Sequence, residues 1–581
     1  MTSKSNQMIS KIYHEREKFM IIGLTGRTGS GCTTAANVLE SSTPEFPLLA
    51  NFEYKGEQFY QGLDSRRYEI LSKYASEKFK SFISIKVSDL ISSYLLLLTA
   101  DEMIEFAFSQ DPRINKDHLE KVVRHGKFSN NYIIHKFINI LQELLLHNEH
   151  PNLEIAELEH FMRFLKLIRK FTRDFKKELQ EVDNHLYVKV YQAAGNSIRR
   201  VCAVEPGYAE MEFNPNAVFH LPETINRTIK IIRKLHKRAF IVIDAIRNPF
   251  EAKFFRERYS AFYLISINAP DDDRKSYLQN VHKFSVDEFD QLEKRESGKT
   301  TVNDADFISQ NVQRCIEISD IHIFNPRNEL ENNNVLKAQL AWYFSLMLHP
   351  GLTTPTALER VMQIAYTAKS NSGCISRQVG AVVTDQNNSI KAVGWNDVAK
   401  GQVPCALRSL PGLLNDFDAI TYSEYERNNK EFRNTARKEL IKLTDKDGTA
   451  GKNLSYCFKD LKNSIDLKGN QVHTRSLHAE ENAFLQLAKY GSAAIEGGKL
   501  FTTASPCELC AKKAYQLGIK EIVYIDPYPG IAKDHIISIG SNPPALTQFR
   551  GAVGRGYYQL YDPTLSYKDE LNYLKDSEDV S

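Results

Sequence analysis

Short, uniformly apolar runs recur along the chain and alternate with longer stretches of helical spacing. Phe19–Leu24 (FMIIGL), Ala239–Ile243 (AFIVI) and Phe262–Ile267 are too short for helices and read as buried parallel strands. Between the first two lies a long stretch, roughly 65–200, in which apolar residues return at helical intervals, as in Ile133–Leu146 and Leu158–Phe171. The Lys and Arg residues interleaved over Arg163–Lys177 read as a solvated helix face. An Asn-rich stretch at 325–334 (NPRNELENNN) has the composition of a hinge. A helix is expected over Val335–Leu348, stopped by Pro350-Gly351, and Thr356 and Glu359 are spaced as the capping box of the next one. The remainder alternates strands (Val379–Thr384, Ile390–Gly394, Lys499–Thr503, Glu521–Ile525) with helices near 478 and 510. The expected fold is α/β throughout. A parallel-sheet domain spans 1–325 with a helical insertion at about 65–200. A linker and helix cover 326–350, and an α/β/α mixed-sheet domain over 351–581 carries an insertion at 405–473.

Composition narrows the class. A chain of 581 residues exceeds one core, and 42% hydrophobic with 25% charged residues is a globular balance. The net charge of +3 provides no general basic footprint for a polynucleotide. Met1–Glu15 lacks a signal-peptide core, and the longest apolar run, around Ile91–Ala100, falls far short of the roughly 20 residues of a membrane span. Eight cysteines over this length point to thiols and metal ligands rather than a disulfide framework. A reduced, cytoplasmic protein without membrane segments is expected.

The chemistry concentrates at His478-Ala479-Glu480 and Pro506-Cys507-Glu508-Leu509-Cys510, an H-x-E…P-C-x-x-C arrangement. One imidazole (His478) and two thiolates (Cys507, Cys510) would hold Zn2+ and leave a fourth position open to water, as in zinc-dependent deaminases. Glu480 is the expected proton carrier and not a ligand. A second constellation follows the first strand: Gly26-Arg27-Thr28-Gly29-Ser30-Gly31-Cys32-Thr33, then a helical stretch over Ala35–Glu40. Strand, G-x-x-x-x-G loop and helix match the phosphate-cradling P-loop, with Thr33 and Asp244, at the end of the second strand, placed to hold Mg2+ with a nucleotide. Cys32 stands where that motif has Lys, which argues for a nucleotide sensor rather than a kinase. Arg27 is the one substitute charge within the loop itself.

Two resemblances sharpen these readings. The loop with the VIDAIRNP segment around Asp244 resembles the deoxynucleotide and dephospho-coenzyme A kinase branch of P-loop proteins. Cys374-Ile375-Ser376-Arg377-Gln378-Val379-Gly380-Ala381-Val382-Val383, followed by Gly394-Trp395-Asn396, resembles the opening of deoxycytidylate deaminases, with Trp395 for their usual Tyr. That resemblance implies that Asn396 contacts the deoxyribose, that the backbone around Ala479 and Ser505 meets the cytosine edge, and that Tyr528 contacts substrate. It also raises a second zinc held by Cys374, Cys405 and either Cys457 or His473, a reading that stands level with incidental thiols. Together the two halves resemble bacterial two-domain antiphage deaminases. That implies conversion of dCTP, dCMP or both to uracil nucleotides, an inhibitory RNA or phage-derived trigger, and a homo-oligomer. Two alternatives remain open: a polynucleotide deaminase acting on tRNA or single-stranded DNA, and a housekeeping dCMP deaminase with a nucleotide-sensing domain.

Overall fold

The structure, a computed structural model, describes residues 4–575 except 131–132, 134–135, 138–139, 142–154, 297–304, 328–331, 417, 445, 468, 470–473, 492–494 and 527–531. Contacts divide the chain into two units, 1–354 with 555–581, and 355–554.

The first unit's main sheet carries β1 (Phe19–Thr25), β2 (Ile83–Lys86), β3 (Ala239–Asp244), β4 (Phe262–Asn268) and β5 (Ile321–Phe324), parallel to one another in the order β2-β3-β1-β4-β5, and Glu53–Tyr54 pairs antiparallel with Glu57–Gln58 in a separate ribbon. Strands β3 and β4 are buried at every position, which is why they read as unbroken apolar runs. The unit's helices include α1 (Cys32–Glu40), α2 (Leu63–Lys78), α3 (Val87–Leu95), α4 (Ile155–Val182), α5 (Leu186–Val201), α6 (Asp271–His282), α7 (Val286–Glu296) and α8 (Asn334–Leu348). Phe161, Phe164, Ile168, Phe171, Phe175 and Leu179 line the buried stripe of α4, at the three- and four-residue steps of an amphipathic helix.

Four features differ from the sequence expectation. Strand β2 lies inside the stretch taken as a helical insertion; four residues (ISIK) before an apolar helix leave no periodicity to detect. The face over Arg163–Lys177 is not wholly solvated. Arg169 pairs with Glu40 at 2.6 Å and Asp89 at 3.3 Å, and Lys176 lines a cavity. Helix α8, expected within a connection, belongs to the first unit's core: every residue from Val335 to Leu348 except Lys337 is buried. Trp342 stacks on Tyr60 at 4.9 Å, Phe344 meets Phe79 at 5.0 Å, and the Ser345 hydroxyl donates to the Leu71 carbonyl of α2. Lastly, residues beyond 554 join the first unit rather than the deaminase-type domain expected over 351–581, with Glu570 accepting from Tyr13 at 3.2 Å and lying 3.0 Å from His349 Nε2. Long-range packing decides both cases, and no local composition announces it.

The second unit holds α9 (Ala357–Ala368), β6 (Gly380–Thr384), β7 (Ile390–Trp395), α10 (Phe458–Asp466), α11 (Ala479–Tyr490), β8 (Lys499–Ala504), α12 (Glu508–Gln516), β9 (Glu521–Asp526) and β10 (Ala545–Gln548). The sheet order is β10-β9-β8-β6-β7, with β8, β9 and β10 parallel and β6 antiparallel to both neighbours. Alternation along the strands builds two cores. Ala381, Val383, Leu500 and Ile522 face α11 and α12, whereas Val382, Phe501 and Val523 face α9. The result is the expected α/β/α sandwich over a mixed sheet. Helix α9 starts with the capping box of Thr356 and Glu359. The 405–473 insertion packs around a small core of its own, including Leu410, Tyr422, Phe432, Phe458 and Leu461.

Placing α8 in a core rather than a linker has a measurable consequence. Phe344→Ala is expected to cost about 3–5 kcal/mol of first-unit stability in denaturant unfolding. A loss under about 1 kcal/mol, the level of a surface substitution, would return α8 to the role of a connector.

Candidate active site

The second unit's site starts from a backbone approach. A β-carbon on Gly394 of β7 would lie 2.3 Å from the Ala479 carbonyl oxygen and 2.5 Å from the Ala483 nitrogen, so α11 can rest on β7 only where the side chain is hydrogen. Asn482 of α11 fixes the register by donating to the Trp395 carbonyl at 2.9 Å. The short pairing of Asp397–Val398 with Ser476–Leu477 then carries Asn396 and His478 toward the same edge.

His478 is the N-cap of α11 and Cys507 the N-cap of α12. His478 Nδ1 lies 3.3 Å from Cys507 Sγ and 3.5 Å from Cys510 Sγ. Among the described residues these three form the one cluster of metal-type ligand atoms lying within 4.8 Å of one another. Tetrahedral bonds of about 2.0–2.3 Å to nitrogen and sulfur give N···S edges of roughly 3.5 Å, so the donor set fits Zn2+. The protons match. A hydrogen bond from Cys510 and another from His478 bring the Cys507 thiol down to about 4, the shared bond and burial push Cys510 up, and His478 is raised by Cys507. Metal binding would displace the protons so shared. Glu480 stands one turn-residue away, 4% exposed and outside the ligand cluster, with the Thr502 hydroxyl 3.1 Å from its Oε1. Burial raises its carboxyl above the ordinary carboxylate range.

These residues open into a cavity of about 770 Å3 that also takes in Asn396, Ala479 and Ser505. The Asn396 amide is already engaged: its oxygen accepts from the Val379 amide and its nitrogen donates to the Arg377 carbonyl, both at 2.7 Å. Sequence reasoning missed the basic wall of this cavity, made by Arg377, Arg408, Lys459, Lys462 and Arg475. The sequence signal was the Lys459-x-x-Lys462 spacing, which puts both cations on one face of α10. Cys374, Cys405 and Cys457 line the same cavity, but they do not form a second ligand cluster among the described residues. Burial raises Cys405 and brings Cys457 up to about 11, which favours their neutral thiols. His473 and Tyr528 lie outside the described residues.

In the first unit, the loop from Gly26 to Gly31 joins β1 to α1. Gly31 adopts φ 108°, and a β-carbon there would lie 2.2 Å from Asn325 Nδ2, which donates to the Ser30 carbonyl. Thr33 and Asp244 meet as expected, the hydroxyl hydrogen-bonding a carboxylate raised by burial. Cys32 is buried and its thiol is pushed up to about 12, so it brings no charge. Arg27 does not replace it, because its guanidinium reaches Asp271 at 3.3 Å and Glu293 at 3.1 Å. The Thr28 amide donates to both carboxylate oxygens of Glu296, at 3.0 and 3.1 Å, and Arg247 pairs with Glu296 at 2.8 Å.

Residues 355–526 match the family model for the "Cytidine and deoxycytidylate deaminase zinc-binding region", the class to which the sandwich and the ligand cluster correspond. "Deoxycytidylate deaminase" of Enterobacteria phage T4 is 34% identical over 170 residues, 29% of this chain and 77% of the phage protein. The protein of the same name from Enterobacteria phage T2 is 31% identical over 168 residues, covering 29% and 79%. The apo crystal structure of dCMP deaminase from cyanophage S-TIM5 matches 34% of this chain and 100% of its own at 22% identity, with a TM-score of 0.20. The chain belongs to the deoxycytidylate deaminase family.

Two measurements follow from the geometry. Metal analysis is expected to find one zinc per chain, lost in His478→Ala and Cys510→Ser and retained in Glu480→Gln; two per chain in the unaltered protein would restore the second site. Gly394→Ala, by pushing α11 off β7, is expected to lower both zinc content and thermal stability, and a protein indifferent to it would show that the approach is not required.

Proposed function

We propose that the second unit removes the 4-amino group of deoxycytidine nucleotides, dCMP and dCTP, giving dUMP or dUTP and ammonia. The observation that carries this reading is a buried carboxylate, Glu480, beside the His478, Cys507 and Cys510 cluster, in a cavity whose wall is basic. The chemistry zinc supplies in such a donor set is acidification of a water to a pKa of about 7. Glu480 would take one proton from the attacking water and pass it to the ring nitrogen, then carry the second from the hydroxyl added at C4 to the amine as it leaves, a shuttle suited by a carboxyl that burial raises above its ordinary range. Thr502 orients Glu480. Ala479 and Ser505 meet the cytosine edge, and Asn396 holds the 377–379 segment while facing the sugar, with Tyr528 as a further contact. Arg377, Lys459, Lys462 and Arg475 take the phosphates. A cavity of about 770 Å3 accommodates a nucleotide of this size.

The first unit is proposed to govern when this happens, by binding a nucleotide with Mg2+ at Gly26–Thr33 and Asp244. Parallel strands in the order β2-β3-β1-β4-β5, with the loop at the carboxyl end of β1, support a P-loop kinase-like fold. Such control suits a protein that empties the dCTP pool in antiphage defence and assembles as a homo-oligomer under an RNA or phage-derived signal. Among the described residues no helix is long and apolar enough to cross a membrane.

The test is direct. Purified protein with dCMP or dCTP is expected to yield uracil nucleotide and ammonia, and Glu480→Ala to be slower by at least about 10²-fold. Substituting Lys459 and Lys462 together by Ala is expected to raise KM for dCTP far more than for unphosphorylated deoxycytidine. Uracil formation in tRNA or single-stranded DNA, with none from free nucleotides, would replace this reading by a polynucleotide deaminase.

A further inference from the structure

We infer that Lys176 of α4 and Arg327, which follows β5, replace the missing loop lysine and take the polyphosphate of a magnesium-bound nucleoside triphosphate at the P-loop. The inference rests on reading that loop as a phosphate site, and it adds which residues supply the charge. A cavity of about 500 Å3 is bounded by Gly31, Thr33 and Asp244 on one side and by Lys176 and Arg327 on others. The remaining nearby guanidinium groups are committed, Arg27 to Asp271 and Glu293, and Arg247 to Glu296. Lys176 is not. Among the described residues it has no carboxylate partner; its Nζ sits 4.8 Å from the centre of the Tyr187 ring, and the charge acting on it is the like charge of Lys86. An ammonium that is half-buried and feels a like charge has given up hydration that a bound anion would make good.

Arg327 tells the same story from the other side of the loop. Its guanidinium lies 3.9 Å from the centre of the Tyr277 ring, its Nη1 is 3.1 Å from the position of a β-carbon on Gly31, and its Nε is buried without a hydrogen-bond partner. The loop amides also select anions, since the Thr28 N–H already holds the Glu296 carboxylate. Phosphate oxygens are the anion that suits all of these groups together. The loop N–H groups cradle them, a planar guanidinium and an ammonium neutralise them, and Thr33 with Asp244 completes a magnesium site shared with the phosphates. A triphosphate, with its larger charge, uses both cations and the metal.

Isothermal titration of the full-length protein with Mg·ATP, and separately with inorganic tripolyphosphate, tests this. One ATP per chain is expected. Lys176→Ala and Arg327→Ala should each weaken binding at least tenfold, while Lys177→Ala, which removes the exposed lysine next door, should leave it within twofold. Thermal melts confirm that each variant is folded, and Lys176→Arg is expected to recover most of the affinity. If the unaltered protein binds neither probe, the phosphate-site reading fails. If ATP binds and survives both alanine substitutions, or if Lys177→Ala weakens it equally, the loop is a phosphate site but Lys176 and Arg327 are not its cations.

Discussion

The Ala479 carbonyl and the Ala483 nitrogen crowd the place where Gly394 would carry a side chain, and the second unit's site depends on that approach. Because β7 has no side chain there, the amino end of α11 comes down onto the sheet, and His478 arrives within 3.5 Å of both thiols of α12. Glu480, one residue into the helix, is thereby driven into the interior beside Thr502 of β8. A carboxyl that water could reach would keep an ordinary acidity; burial raises this one above it. The gathering of the ligand cluster and the burial of Glu480 thus share one cause, the separation between a helix and a strand.

Much of this was legible in the sequence, for a physical reason. Ligands to one metal must recur at fixed steps on helix ends, so His478, Glu480, Cys507 and Cys510 stand out as a pattern. Buried parallel strands must be apolar on both faces, so β1, β3 and β4 were visible as runs. Strand β2 was not, being four residues long, and α8 was misplaced because an apolar helix looks the same in a core and in a connection. The basic wall of the larger cavity was hidden for a different reason. Arg377, Arg408, Lys459, Lys462 and Arg475 come from separated segments, and only the insertion's fold gathers them. Near-neutral overall charge gave no sign of that gathering.

The two cavities manage charge in opposite ways. Four cations of the cavity that holds the zinc-type cluster have an acid at hand: Arg408 and Arg475 share Glu426 at 2.5 Å, Lys459 has Asp460 at 2.8 Å and Lys462 has Asp466 at 2.7 Å. An anion entering such a wall has to displace carboxylates already in place, which offsets part of what its own contacts contribute. Around the loop that follows β1 some positions are internally balanced, as where Glu296 sits on the Thr28 amide, and others are not, as where the Arg327 Nε is buried without a hydrogen-bond partner.

The chain leaves the first unit at 354 and re-enters it at 555, so the deaminase unit is a guest spliced into a host rather than a second bead on a string. A guest anchored at both ends cannot be trimmed away from the carboxyl terminus. Cutting there also removes Glu570, the carboxylate that faces His349 and Tyr13 within the host. The first unit is continuous only through the second, so a version of it lacking residues 355–554 has to join 354 to 555.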